Sequence, residues 1–218
     1  MHETTNFAAE NVVLIMNTDA SVSCLNILGG VLYLSPLDAG LTPVFNVFSD
    51  PNWMTGWPCG TYEELVKIDE IIQSMPHDPN DLVHAYTELF TGSDHMKAPP
   101  WGSVYLDRQH AAFGQSTLKL RNFLDEQGIS LNRNKEEPED HIGLLLLTAA
   151  WLGIAKREKA LSMLLAEHIL PWAPTYLNVL KTVSPHPFYQ GIAELTLLTL
   201  KSLEQTRELD VTPLNLYQ

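Results

Sequence analysis

The residues whose types and spacing could do chemistry are Glu137-Pro138-Glu139-Asp140-His141, three carboxylates and an imidazole placed immediately before the apolar run Ile142 to Ala155. Carboxylates accept paired hydrogen bonds from a guanidinium, and an imidazole beside a carboxylate can change charge near neutral pH. A purely local reading covers the same residues. Pro138 suits a first helical position, where its missing N–H would go unused, and Glu139 and Asp140 would sit where the helix dipole favours negative charge. A well-capped core helix and a charged, titratable edge are both compatible with these five residues.

The elements that must position them read as helices. Helical spacing dominates, and no sustained two-residue alternation is bounded by Asn-Gly or Asp-Gly turns, so the pattern predicts an all-α fold, a single-domain helical bundle spanning residues 1–218. A first helix is expected before Asp19. A second, from Ala20 to Leu34, would bury Val22, Leu25, Leu28 and Leu32, with Gly29-Gly30 allowing close packing. A short helix fits Pro43 to Phe48. Thr61 to Met75 follows, with Thr61 as N-cap and Glu64 completing a capping box ahead of Leu65, Ile68 and Ile72. Asp81 to Phe90 aligns Leu82, Tyr86, Leu89 and Phe90 and stops at Thr91-Gly92. Ser93 to Arg108 carries Pro99-Pro100-Trp101-Gly102 and no helical stripe, so it is expected to cross the surface as a connection. Ser116 to Gln127 resumes a helix, capped by Ser116 or Thr117 and ended by Gly128. Asn132 to Glu137 is polar and reads as a hinge within the domain. Beyond the central helix, Leu161, Leu164, Leu165 and Ile169 mark one helix, and Trp172, Tyr176, Val179 and Leu180 another. After the break at Pro185-His186-Pro187, a last helix carries Phe188, Ile192, Leu195 and Leu203.

Composition narrows the function classes. The 218 residues are 45% hydrophobic, enough for a full core, and 13 Lys+Arg against 26 Asp+Glu give a formal net charge of −13. That balance disfavours nucleic acid and anionic lipid and favours a basic partner. Cys24 and Cys59 form no C-x-x-C and no disulfide framework, as expected of reduced, ordinary thiols. Met1 to Asn17 lacks a basic n-region and a small-residue cleavage site, so it does not read as a signal peptide, and a cytoplasmic location is expected. Ile142 to Ala155 is too short to span a bilayer, so an integral membrane protein is not expected.

Other chemistry is thin. The histidines assemble no H-E-x-x-H and no paired Cys/His spacing, so no metal site is expected. No phosphate loop or dinucleotide fingerprint is present, and no cofactor is expected. Gly114-Gln115-Ser116-Thr117-Leu118 lacks the second glycine and the strand-to-helix context of a nucleophile elbow. Trp101, after Pro99-Pro100, and Leu89-Phe90 fit either packing anchors or the lining of a groove. Set beside an acidic helix start, they would suit a peptide with apolar and basic residues.

Six segments are jointly specific in order and spacing: YTELF at 86–90, PPWGSVYLDR at 99–108, FGQSTLKLR at 113–121, EPEDHIG at 137–143, LPWAPTYL at 170–177 and HPFYQGIAELTLLTL at 186–200. Together they resemble the TorD/DmsD family of redox-enzyme maturation chaperones, with PPWGSVYLDR and EPEDH resembling its DmsD branch, and the similarity covers roughly Val22 to Leu203. The resemblance implies an all-helical, non-enzymatic chaperone that binds the twin-arginine signal peptide of a molybdoenzyme catalytic subunit, of the DMSO reductase type. It would restrain export until the molybdenum cofactor is inserted. Components of the Tat translocase are implied as further partners. The family's leader-binding region falls on Leu89, Phe90, Pro100, Trp101, Asp140 and His141. Tyr86 stands where close relatives carry tryptophan, as part of the same aromatic wall. The N-terminal extension 1–19, the Ser93 to Ala98 segment and the C-terminal tail from Asp210 depart from the family pattern. From another class, Asp140 and His141 could serve a helical metal- or nucleotide-dependent hydrolase.

Overall fold

The computed structural model describes residues 20–91, 96–107, 114–131, 138–212, 214, 216 and 217. The N-terminal extension 1–19 with the helix expected before Asp19, and the hinge 132–137 with Glu137, lie outside the described residues. Within them there are ten α-helices and no strand, as the helical spacing predicts.

The scaffold of the site is the pairing of α1 (Ala20–Tyr33) with α7 (Ile142–Ile154). α7 is buried almost all round, with Ile142 to Ala150 and Leu152 all buried, as its unbroken apolar sequence requires. Two glycines let the helix backbones touch. A Cβ on Gly29 would lie 2.9 Å from the Leu147 amide nitrogen, and one on Gly143 would lie 2.7 Å from the Tyr33 Cβ. No larger residue fits either place without the helices parting, so the end of α1 is pressed against the start of α7.

α2 (Thr42–Ser49) and α3 (Tyr62–Ile72) follow the pattern read from sequence. At the start of α3 the Thr61 hydroxyl accepts from the Glu64 amide at 3.3 Å, and the Glu64 carboxylate accepts from the Thr61 amide at 2.8 Å. α3 ends at Ile72, so Met75 is exposed. α4 (Pro79–Tyr86) begins two residues before the expected Asp81, because the Asp78 carboxylate accepts from the Asn80 and Asp81 amides, and it runs on through a π-helical turn, Thr87–Thr91.

The connection after it is not the plain surface crossing that its composition predicts. Gly102–Leu106 forms a short helix, α5, with Gly102, Ser103 and Tyr105 buried. Five residues are too few to show a helical stripe in sequence, and Gly102 is held against the Trp172 indole, where a Cβ would come within 2.8 Å. α6 (Gln115–Glu126) ends at Gly128, whose φ of 64° is the left-handed conformation that glycine adopts freely. Its cap is not Ser116 or Thr117. The carboxylate of Asp107, at the end of α5, accepts from the Ser116 amide at 3.3 Å and from its hydroxyl at 2.6 Å, supplying the N-terminal anion from outside the helix.

α8 (Glu158–Met163) continues into a π-helical segment, Leu164–Ile169; α9 (Ala173–Val183) and α10 (Pro187–Thr206) complete the bundle. Its interior is aromatic. Trp172, Tyr176, Phe188 and Tyr189 are fully buried, and Phe48 packs on both Trp53 and Phe188.

Candidate functional site

The acidic segment before α7 differs from its local reading in a way that defines the site. The helix starts at Ile142, so Pro138 is not its first residue and Glu139 and Asp140 are not in its first turn; His141 is the N-cap, with φ −62° and ψ 127°. The cause is a partner distant in sequence. Trp101 and His141 form an isolated antiparallel bridge: the Gly102 amide donates to the Asp140 carbonyl at 3.1 Å, and the Ile142 amide donates to the Pro100 carbonyl at 2.8 Å. Extended backbone at His141 excludes a helix there, and the helix begins at the next residue. The imidazole then does the capping, its Nδ1 accepting from the Gly143 amide at 3.1 Å.

Burial sets the charges. Glu139, Asp140 and His141 are only 8%, 5% and 2% exposed, so the segment is an interior seam and not a solvated edge. Burial pushes the His141 imidazole down to about 3, so it is neutral near pH 7, contrary to the expectation of a titratable group. With Nδ1 accepting, the single proton is carried on Nε2. The two adjacent carboxylates are treated differently. Glu139 accepts from Nε and Nη2 of Arg121 on α6, both at 3.0 Å, in the paired geometry of a guanidinium and a carboxylate. Asp140 accepts the Ser103 amide on Oδ2 at 2.6 Å, while among the described residues its buried Oδ1 has no hydrogen-bond partner. Burial raises the Asp140 carboxyl above the ordinary carboxylate range, with Ser103 pulling the other way.

Of the seven residues singled out from sequence, Pro100, Trp101, Asp140 and His141 are brought together by the bridge. Tyr86 is joined to them through a residue that sequence reasoning missed. Its hydroxyl donates to the Tyr33 carbonyl at 2.6 Å, and the Tyr33 ring meets the His141 ring edge-on at 5.3 Å between centroids. The only prior sign of Tyr33 was an aromatic residue ending a helix that carries a Gly-Gly pair. Leu89 and Phe90, each 4% exposed, lie on the interior side, where Phe90 packs between Tyr86 at 5.2 Å and Tyr189 at 5.6 Å. Trp101 is the one member of the seven that is half-buried, its indole edge-on to His141 at 6.4 Å.

Asp140 lines a groove of about 790 Å³ bounded by α5, α6, the π-helical segment and residues 210–217 among those described. Among the described residues no group of three or more His, Cys, Asp or Glu side chains is placed to hold a metal ion. No described helix is long and apolar enough to cross a membrane. The His141 Nδ1 is committed to the Gly143 amide and the Asp140 Oδ2 to the Ser103 amide, so neither atom is available to a hydrolase built on these two residues.

The fold is shared with a solved structure described as a redox enzyme maturation protein. That protein, from Archaeoglobus fulgidus, superposes with a TM-score of 0.55 at 17% identity, covering 85% of this chain and 97% of the other. The family model described as nitrate reductase delta subunit matches residues 57–178. Among curated proteins, the Tat proofreading chaperone DmsD of Salmonella typhi is 39% identical over 80% of this chain and 84% of its own length. The chaperone protein YcdY of Escherichia coli is 31% identical over 81% and 89%. The chain belongs to the TorD/DmsD family of redox-enzyme maturation chaperones, and it groups with chaperones, not with enzymes.

Proposed function

We propose that this protein is a cytoplasmic chaperone that binds the twin-arginine leader of a molybdoenzyme catalytic subunit, of the DMSO reductase type, and delays export until the cofactor is inserted. The observation that carries this reading is the Asp140 carboxylate, which is buried, has one oxygen without a hydrogen-bond partner among the described residues, and precedes the residue whose backbone pairs with the half-buried Trp101. A buried carboxylate lacking a partner is costly, and a leader guanidinium would supply both charge and donors. The twin-arginine leader joins such cations to an apolar stretch. Trp101 offers an apolar and cation-binding face for it. The Tat proofreading names of relatives at close to 40% identity support the same partner class.

In this reading Asp140 and Trp101 contact the leader, while His141 and Pro100 hold them in register through the bridge. Tyr86, Leu89 and Phe90 form the wall behind. The chain acts as a single domain, and components of the Tat translocase are its further partners once the client is released. Isothermal calorimetry with a panel of reductase leader peptides tests the proposal. Micromolar or tighter binding of at least one leader, lost when both its arginines are replaced by glutamine, is expected. Absence of heat with every leader at concentrations well above micromolar would overturn it.

A further inference from the structure

The groove beside Asp140 has a charge pattern that the bridge residues alone do not explain. Asp107, Glu126, Asp140, Glu167 and Asp210 line it, with Lys119 as the one Lys or Arg among its described lining residues. Glu126, Glu167 and Asp210 are exposed, whereas Asp140, also on the lining, is 95% buried and its Oδ1 has no hydrogen-bond partner among the described residues. His168, on the same wall, is pushed down to about 4 by burial and by Lys119, so it adds no positive charge at neutral pH. The floor is apolar, formed by Phe123 and Trp172, and the outer wall includes Tyr217, whose amide donates to the Tyr105 carbonyl at 2.9 Å.

Resting on the proposed leader-binding function, we infer that the basic end of the leader runs along this groove from Asp140 between α6 and the π-helical segment. Glu126, Glu167 and Asp210 serve there as carboxylate partners for its cationic side chains. Charge complementarity selects this occupant: an anionic ligand would be repelled, and a single small cation would leave most of about 790 Å³ unfilled. A second groove of about 530 Å³, between α3, α9 and α10, shows the contrast. Its apolar floor of Ile71, Leu197 and Leu198 is rimmed by both signs of charge, so it points to no particular occupant.

The experiment compares wild type with the triple variant Glu126→Gln, Glu167→Gln, Asp210→Asn. All three positions are exposed, so the fold is retained, which circular dichroism verifies. Leader peptides are titrated calorimetrically at low ionic strength and at about 1 M salt, where the screening length is about 3 Å. The triple variant is expected to bind about tenfold more weakly at low salt and to match wild type at high salt. A leader whose basic residues are all glutamine is expected to show no difference between the two proteins. Unchanged affinity and salt response in the triple variant, with wild type binding the leader, would overturn the groove path and leave the leader-binding function standing. Failure of wild type to bind any leader would overturn both.

Discussion

α7 and α10 both start from a buried histidine whose Nδ1 accepts the amide two residues on, at 3.1 Å in each case and with ψ of 127° and 129°. Around His186 the neighbours are aromatic packing and a local hydrogen bond from the Ser184 hydroxyl to the His186 carbonyl. The histidine is preceded by Pro185 and followed by Pro187, Phe188 meets Phe45 at a tilt and Phe48 edge-on, and Tyr189 meets Phe90. Around His141 the same device sits among different neighbours: Asp140 precedes it, Trp101 pairs with its backbone, and a groove opens alongside. The comparison teaches that the histidine cap is a folding device. What distinguishes the two helix starts is the residue before the cap, a carboxylate with a buried oxygen that has no partner among the described residues at one and a proline at the other.

The largest expected effect separates packing from contact. Phe90→Ala empties a site between Tyr86 and Tyr189, on the α10 side, and is expected to cost about 3–5 kcal/mol of stability. Trp101→Ala, at a half-buried position, is expected to cost less than half as much while weakening leader binding more. Urea unfolding and calorimetry on the same samples check both. Equal stability losses, with normal leader affinity in Trp101→Ala, would merge the two regions into one packing unit.

Acid is expected to weaken both helix starts. The folded-state pKa of His141 lies at about 3, below the ordinary value of 6.5, so the unfolded chain binds the proton first. This contribution is fully present above about pH 6.5 and is lost as pH falls toward 3, on the order of a few kcal/mol. Burial pushes His186 in the same direction. His141→Asn and His186→Asn keep a capping acceptor without the titration, and each is expected to flatten the acid limb of a melting-temperature profile. Only His141→Asn should alter leader affinity, through the position of Asp140 and Trp101. An equal change in affinity from both variants would contradict the distinction.

The smallest effect belongs to Arg121→Gln. It removes the ion pair to Glu139, the Arg121 and Glu139 side chains being 37% and 11% exposed, and is expected to cost about 1–2 kcal/mol in urea unfolding because the Glu139 carboxylate stays buried.

What was legible in the sequence was mostly local. The capping box of Thr61 and Glu64, the stop at Gly128 and the apolar stripes of α1, α3, α9 and α10 depend on neighbours within a few residues, and the structure matches them. What was not legible depended on partners far away in the chain. Pro138 fits a first helical position locally, yet the bridge to Trp101 moves the helix start to Ile142. Asp107 caps α6 from the preceding helix, so Ser116 donates where it was expected to accept. Tyr33 enters the site only because Gly29 and Gly143 let two helix backbones touch. The seven site residues were found through the family resemblance, but neither it nor composition separated Asp140, with a buried oxygen that has no partner among the described residues, from Glu139, already engaged by Arg121.

Asp140→Asn tests the central claim most directly. Asparagine keeps an acceptor for the Ser103 amide and removes only the charge. Stability near pH 7 should be unchanged or slightly raised, since a buried carboxylate is relieved, while leader affinity should fall about tenfold to hundredfold and lose part of its salt dependence. A folded Asp140→Asn protein that binds the twin-arginine leader with wild-type affinity and wild-type salt response would contradict the account.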